Sequence, residues 1–132
     1  MKTRELTKAE LEVMQILWDK EAAFVNEILD VMPSPKPAYN TVSTVVRVLE
    51  KKGVVGHEAF GKSHRYRPLI SKEEYTKSFM QNVMHNFFDN SLPRMVSFFY
   101  EKENLSLKET EEILEIASKA IEKKKKREPA EA

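Results

Sequence analysis

The chain has 132 residues, of which 41% are hydrophobic and 33% charged, enough for one ordinary domain or two small ones sharing a core. This balance excludes a disordered chain, no apolar run approaches the roughly 18 residues of a membrane span, and the start MKTRELTKAELEVM lacks the uninterrupted apolar core of a secretory signal. The net charge of +1 gives no overall basic excess, and the lack of cysteine removes disulfides, thiolate metal sites and thiol catalysis, so a cytoplasmic protein without membrane insertion is expected.

In chain order the sequence predicts a helical protein with one small β element. Thr7-Lys8-Ala9-Glu10 forms a capping box, predicting a helix from about Lys8 to Asp19 that buries Leu11, Met14, Leu17 and Trp18. After Lys20-Glu21, a second helix carries Val25, Ile28, Leu29 and Met32 at the spacing of one buried stripe. Pro33-Ser34-Pro35-Lys36-Pro37 must end it, because proline withdraws amide donors and holds its preceding residue extended.

The third helix has Val42, Val45, Val46 and Leu49 on one face and Asn40, Ser43, Thr44, Arg47 and Lys51 on the other. Short hydroxyl and amide side chains let a helix approach base edges, while Arg and Lys supply guanine and phosphate contacts. Gly53 supplies a left-handed cap. Two β-prone runs follow, Val54 to Phe60 and His64 to Leu69, joined by Gly61-Lys62-Ser63 as a hairpin with a basic tip. The sum is a winged helix-turn-helix over residues 1–70 with the third helix as the reader. Charge agrees locally: residues 36–67 hold seven Lys and Arg against two Glu, an excess of five, leaving −4 for the remainder.

Candidate DNA-binding residues are therefore Asn40, Thr41, Ser43, Thr44, Arg47 and Lys51 on the reader helix, with Lys62, His64 and Arg65 on the wing. Arg47 suits bidentate bonding to guanine; a phosphate contact or a surface ion pair stays open. Asn40, Thr41 or Thr44 can instead cap the helix, Asn40 first among them. The wing residues fit phosphate or minor-groove contacts, and Tyr66 reads as core.

Two further capping boxes, Ser71-Lys72-Glu73-Glu74 and Ser106-Leu107-Lys108-Glu109, open later helices. The first predicts a helix to about Asn90 with Tyr75, Phe79, Val83 and Phe87 spaced by four. Arg94 to Glu101 forms another, with Met95, Val96, Phe98, Phe99 and Tyr100, and the last spans about Leu107 to Ile121 with Ile113, Leu114 and Ala117 inward. Residues 71–122 offer more apolar surface than so short a segment buries alone, which predicts a helical dimerisation domain. Its candidate interface is Tyr75, Phe79, Val83, Phe87, Phe98, Phe99, Ile113 and Ala117, and pairing gives a repressor two half-sites. Residues 123–132 read as a charged flexible tail.

Neither metal chemistry nor catalysis has a foothold. His57 and His64 sit across the two wing strands, fewer ligands than a zinc centre takes, and His85 is remote in sequence. Three glycines cannot make a phosphate-cradling loop, and no Ser, His and acid grouping follows from local spacing. The expectation is a non-enzyme without cofactor. A winged helix used for protein contact, or a regulator with a ligand pocket among the aromatic helices, stays open beside DNA binding.

Four stretches, LTKAELEVMQILW, TVSTVVRVLEKKGVV, HRYRPLISKEE and MVSFFYEKENLSLKETEEI, resemble the penicillinase-repressor (BlaI/MecI) family of bacterial transcriptional repressors over nearly the whole chain. The resemblance implies an N-terminal winged helix, a helical dimerisation domain and repression by a homodimer on a dyad-symmetric, double-stranded DNA operator. It further implies control of a β-lactamase, antibiotic-resistance or sensor-protease operon, with a membrane-bound metalloprotease sensor as partner. Members relieved by proteolysis are cut between an Asn and a Phe before the EKE-L-S stretch; aligning Glu101-Lys102-Glu103 puts that bond at Phe98–Phe99, without the Asn. The copper-responsive branch carries a C-terminal cysteine motif, which this cysteine-free chain lacks.

Overall fold

The computed structural model describes residues 5–127. The elements run α1 (Lys8–Lys20), α2 (Val25–Val31), α3 (Tyr39–Lys51), β1 (Val55–Phe60), β2 (Ser63–Pro68), α4 (Lys72–Phe87), α5 (Leu92–Glu103) and α6 (Leu107–Arg127). They divide into two compact units, Met1–Val83 and Met84–Ala132.

The first unit is a winged helix, mainly helical with one hairpin. The expected capping box opens α1: Thr7 Oγ1 accepts from the Glu10 amide at 3.2 Å, and Glu10 Oε1 accepts from the Thr7 amide at 2.8 Å. The core takes Val13, Met14 and Leu17 from α1, Val25 and Ile28 from α2, and Val42, Val46 and Leu49 from α3. Trp18 and Leu11 are only half-buried, and Val13 takes the position facing the core. Gly53, at φ +83°, turns the chain out of α3 into the hairpin.

Long-range links close this unit. Ala23 forms a one-residue bridge to β2, exchanging amide–carbonyl bonds with Tyr66 at 2.9 and 2.8 Å. Lys52 Nζ meets Glu10 Oε1 at 2.7 Å, with Glu10 only 5% exposed. Burial pushes the Glu10 carboxyl up, but hydrogen bonds from Lys52 and Thr7 and the Lys52 charge bring it below the ordinary carboxylate value. A depressed folded-state value means this stabilisation is present above the unfolded pKa and lost as pH falls through the folded one. Glu10→Gln is therefore expected to lower unfolding free energy by about 1–3 kcal/mol near neutral pH, with the gap to wild type closing in acid; urea unfolding at the two pH values checks it.

The start of α4 belongs to this core as well. Trp18 Nε1–H donates to the Ile70 carbonyl at 2.9 Å, and the Tyr75 hydroxyl accepts from the Leu6 amide at 3.0 Å. Tyr75 is buried against Trp18, with ring centroids 5.8 Å apart, and Phe79 packs on the same core. Both were expected at a dimer interface; in the single chain Tyr75 is buried in this core and Phe79 is partly buried against it, and the two units meet after Val83 where residues 70–71 were expected.

In the second unit, α4 stops at Phe87 rather than near Asn90, because Asp89 and Asn90 take left-handed φ of 51° and 59°, which these short side chains tolerate. Ser91 Oγ caps α5 by accepting from the Arg94 amide, and Asn104 ends it at φ 50°. The last helix continues to Arg127, so the predicted tail is helical over residues 123–127; its cations sit at the negative end of the helix dipole. The remainder of that predicted tail lies outside the described residues. Tyr100 Oη–H donates to Thr110 Oγ1 at 2.9 Å, linking α5 to α6, yet neither helix contains a buried residue. Among the described residues no helix is long and apolar enough to cross a membrane.

Candidate nucleic-acid interface

Helix α3 has one face locked into the core and one clear of it. Asn40, Thr41, Thr44, Arg47, Val48 and Lys51 are all exposed and lie along a single stripe of about two residues' width, as a 3.6-residue repeat requires. Ala38 occupies the N-cap without a side-chain hydrogen bond, so Asn40 is the second helical residue and not the cap. The Thr44 hydroxyl donates to the Asn40 carbonyl at 2.9 Å. Ser43 was expected on the outward face but is 7% exposed; its Oγ accepts from Arg47 Nη2 at 3.1 Å. Its part is thus to steady the guanidinium from one side, leaving the other donors of that fork free for a ligand.

The wing stands beside this stripe. β1 and β2 pair antiparallel, with His57 opposite Tyr66, Glu58 opposite Arg65, Ala59 opposite His64 and Phe60 opposite Ser63. Alternation along a strand sorts these side chains: His57, Ala59, His64 and Tyr66 share one face, Glu58 and Arg65 the other. Gly61 holds φ +62° at the tip and exposes Lys62. Phe24, Glu27, Tyr39, Ser43, Arg47, Lys62, His64 and Tyr66 line one crevice between α2, α3 and the wing. Arg47, Lys62 and His64 are thereby brought together, while Arg65 lies on the opposite strand face across from Glu58.

The local charge excess is redistributed by the fold. Lys36 Nζ donates to the Leu29 and Asp30 carbonyls at 2.9 Å, closing the end of α2, and Lys52 is held by Glu10. Arg47 and Lys51 within the stripe, and Lys62 on the wing, remain exposed. Glu50 and His57 Nδ1 form an ion pair that ties α3 to β1. Tyr66 is core, as read from the sequence; burial raises its pKa, with Glu50 adding to the rise and Arg47 opposing it.

Sequence reasoning missed three participants. Tyr39 is 50% exposed at the start of α3 and lines the crevice. Val48 is 39% exposed within the polar stripe, where a branched alkyl group matches the 5-methyl of thymine. Its wheel position between Thr44 and Lys51 was the available signal. His57 couples wing to helix through Glu50, a contact between residues seven apart that periodicity does not disclose. Among the described residues no group of three or more His, Asp or Glu is arranged to hold a metal ion.

In the second unit, Phe87 is 76% exposed, Phe98 and Phe99 are each 43%, Ile113 is 38%, and Ala117 is exposed; Val83, the last residue of the first unit, is half-buried. Leu107, Leu114 and Ile121 are exposed as well, extending the apolar stripe of α6. The Phe98–Phe99 bond lies inside α5.

A family model described as penicillinase repressor matches residues 6–119. The chain is 30% identical over 129 residues to a penicillinase repressor of Bacillus licheniformis, covering 94% of this chain and 98% of that protein. It is 31% identical over 119 residues to the methicillin resistance regulatory protein MecI of Staphylococcus aureus (strain N315), covering 89% and 97%. Among solved structures, that of the DNA binding domain of the repressor BlaI is 29% identical, with a TM-score of 0.49, covering 56% of this chain and 92% of that one.

Proposed function

The chain belongs to the penicillinase repressor (BlaI/MecI) family of non-enzymatic transcriptional repressors, and on that premise we propose that it silences its target as a homodimer on a dyad-symmetric operator. The single observation that carries this reading is the exposed stripe Asn40, Thr41, Thr44, Arg47, Val48 and Lys51, flanked by Lys62 and His64 within one compact unit. Helix α3 enters the major groove, Arg47 and the short polar residues meet base edges, and Lys51 and Lys62 hold the phosphates.

The absence of any buried residue in α5 and α6 supports pairing of two copies through the second unit. Two identical readers on two half-sites multiply affinity without a new base contact. The target is an antibiotic-resistance or sensor-protease operon, in the cytoplasm where the DNA is, with a membrane-bound metalloprotease as the relieving partner. Cutting at Phe98–Phe99 requires α5 to unwind locally, since a helix keeps its carbonyls engaged.

A mobility-shift titration on the chain's own upstream region tests the reading. Specific binding should weaken steeply with salt as released counterions lose their driving force. Lys62→Ala should lower affinity for all duplexes alike and flatten the salt slope by about one. A changed sequence preference would remove Lys62 from the phosphates, and equal binding to random duplex would remove the operator.

A further inference from the structure

We propose that the His57–His64 stack, clamped to the reader helix through Glu50, couples operator binding to proton uptake at the wing. The proposal rests on the wing being a phosphate contact. The strand register puts His57 and His64 diagonally on one face, and their rings lie parallel, with centroids 4.1 Å apart and planes 7° from each other. Glu50 pairs with His57 Nδ1, and both side chains are about one-third exposed, at 32% for His57 and 33% for Glu50.

The surroundings set two carboxylates, Glu50 and Glu27, against the two imidazoles and the cations Arg47 and Lys62. From α3 the facing groups are Glu50, Arg47 and Tyr39; from α2, Glu27; from the wing turn, Lys62; from β2, Tyr66. Glu27 accepts the Phe24 amide at 2.9 Å and keeps its charge, because that donor is neutral. Only Glu50, among the described residues, bonds a ring of the stack with a carboxylate. A protonated His57 balances Glu50. A second proton, on His64, meets the first imidazolium across the stack and adds a cation beside Arg47 and Lys62.

A phosphate laid against the wing supplies the missing negative charge. The complex then holds more protons than the free protein, and linkage requires affinity to rise as pH falls. The stack was unused by the DNA reading, in which His64 alone serves as a neutral or charged contact. Here the pair becomes a proton-dependent part of the grip.

The test is fluorescence anisotropy with the upstream duplex at constant ionic strength, between about pH 8 and pH 6. Wild type should bind about three- to tenfold tighter at the lower pH, below the ceiling of about tenfold per pH unit for one proton. His64→Gln should bind with little pH dependence, whereas Lys62→Ala should weaken binding equally at both values. Calorimetry on the unaltered protein in two buffers of different ionisation enthalpy should report net proton uptake. Sequence-specific binding with no pH dependence and no proton uptake would overturn the coupling while leaving the repressor reading intact. A pH dependence retained by His64→Gln would overturn the assignment to the stack. Equal affinity for upstream and scrambled duplex at both pH values would overturn the DNA reading, and the coupling with it.

Discussion

Leu114→Asp should sediment as a monomer at micromolar concentration and lose about 100-fold or more in operator affinity, with its helical content retained. Leu114 is 66% exposed in the single chain, so its replacement removes little intramolecular packing. It nevertheless lies between Ile113 and Ala117 on the stripe of α6 that Thr110, Ile113, Leu114, Ala117 and Ile121 define. Each large aliphatic side chain buried from water contributes about 1.5–3 kcal/mol, and a carboxylate placed in such a seam reverses the sign. Phe98→Asp is a weaker probe, because Phe98 also packs edge-on against Phe88 at 5.6 Å within the same chain. Losing dimerisation removes avidity, so the loss exceeds that from any one base contact. A Leu114→Asp protein that stays dimeric and binds as wild type would move the interface off α6.

Much of the first unit was legible because its determinants are local. The capping box at Thr7, the stripe Val42, Val46 and Leu49, and the left-handed Gly53 each act over one or two helical turns. What escaped the sequence depends on distant partners. Ser43 is polar and sits one residue from the apolar stripe, but the fold turns it inward under Arg47. Tyr75 belongs to an aromatic period that suggests a free face, yet its hydroxyl bonds the Leu6 amide 69 residues away. The Ala23 bridge to Tyr66 has no periodic signature at all, being one residue long. Charge counting likewise included Lys36 and Lys52 in the local basic excess, although Lys36 closes the end of α2 and Lys52 is held by Glu10.

This sorting raises the weight resting on Arg47. Arg47→Ala should cost about 1–3 kcal/mol at one or two operator positions and leave affinity for substituted bases at those positions unchanged. The guanidinium is exposed on the reader stripe and bonded on one nitrogen to Ser43 Oγ at 3.1 Å. That single tether restricts its rotamers without consuming the pair of donors a guanine O6 and N7 would take. Ser43→Ala should therefore weaken the same positions by a smaller factor, since the fork survives with a looser hold. Arg47→Lys separates the two chemistries: an ammonium retains attraction for phosphate but lacks the planar fork. Recovery of full discrimination by Arg47→Lys, or a loss spread evenly over every base pair, would place Arg47 on the backbone. Restored general affinity without restored discrimination is the expected pattern, because an ammonium keeps the charge of the guanidinium but not its planar pair of donors.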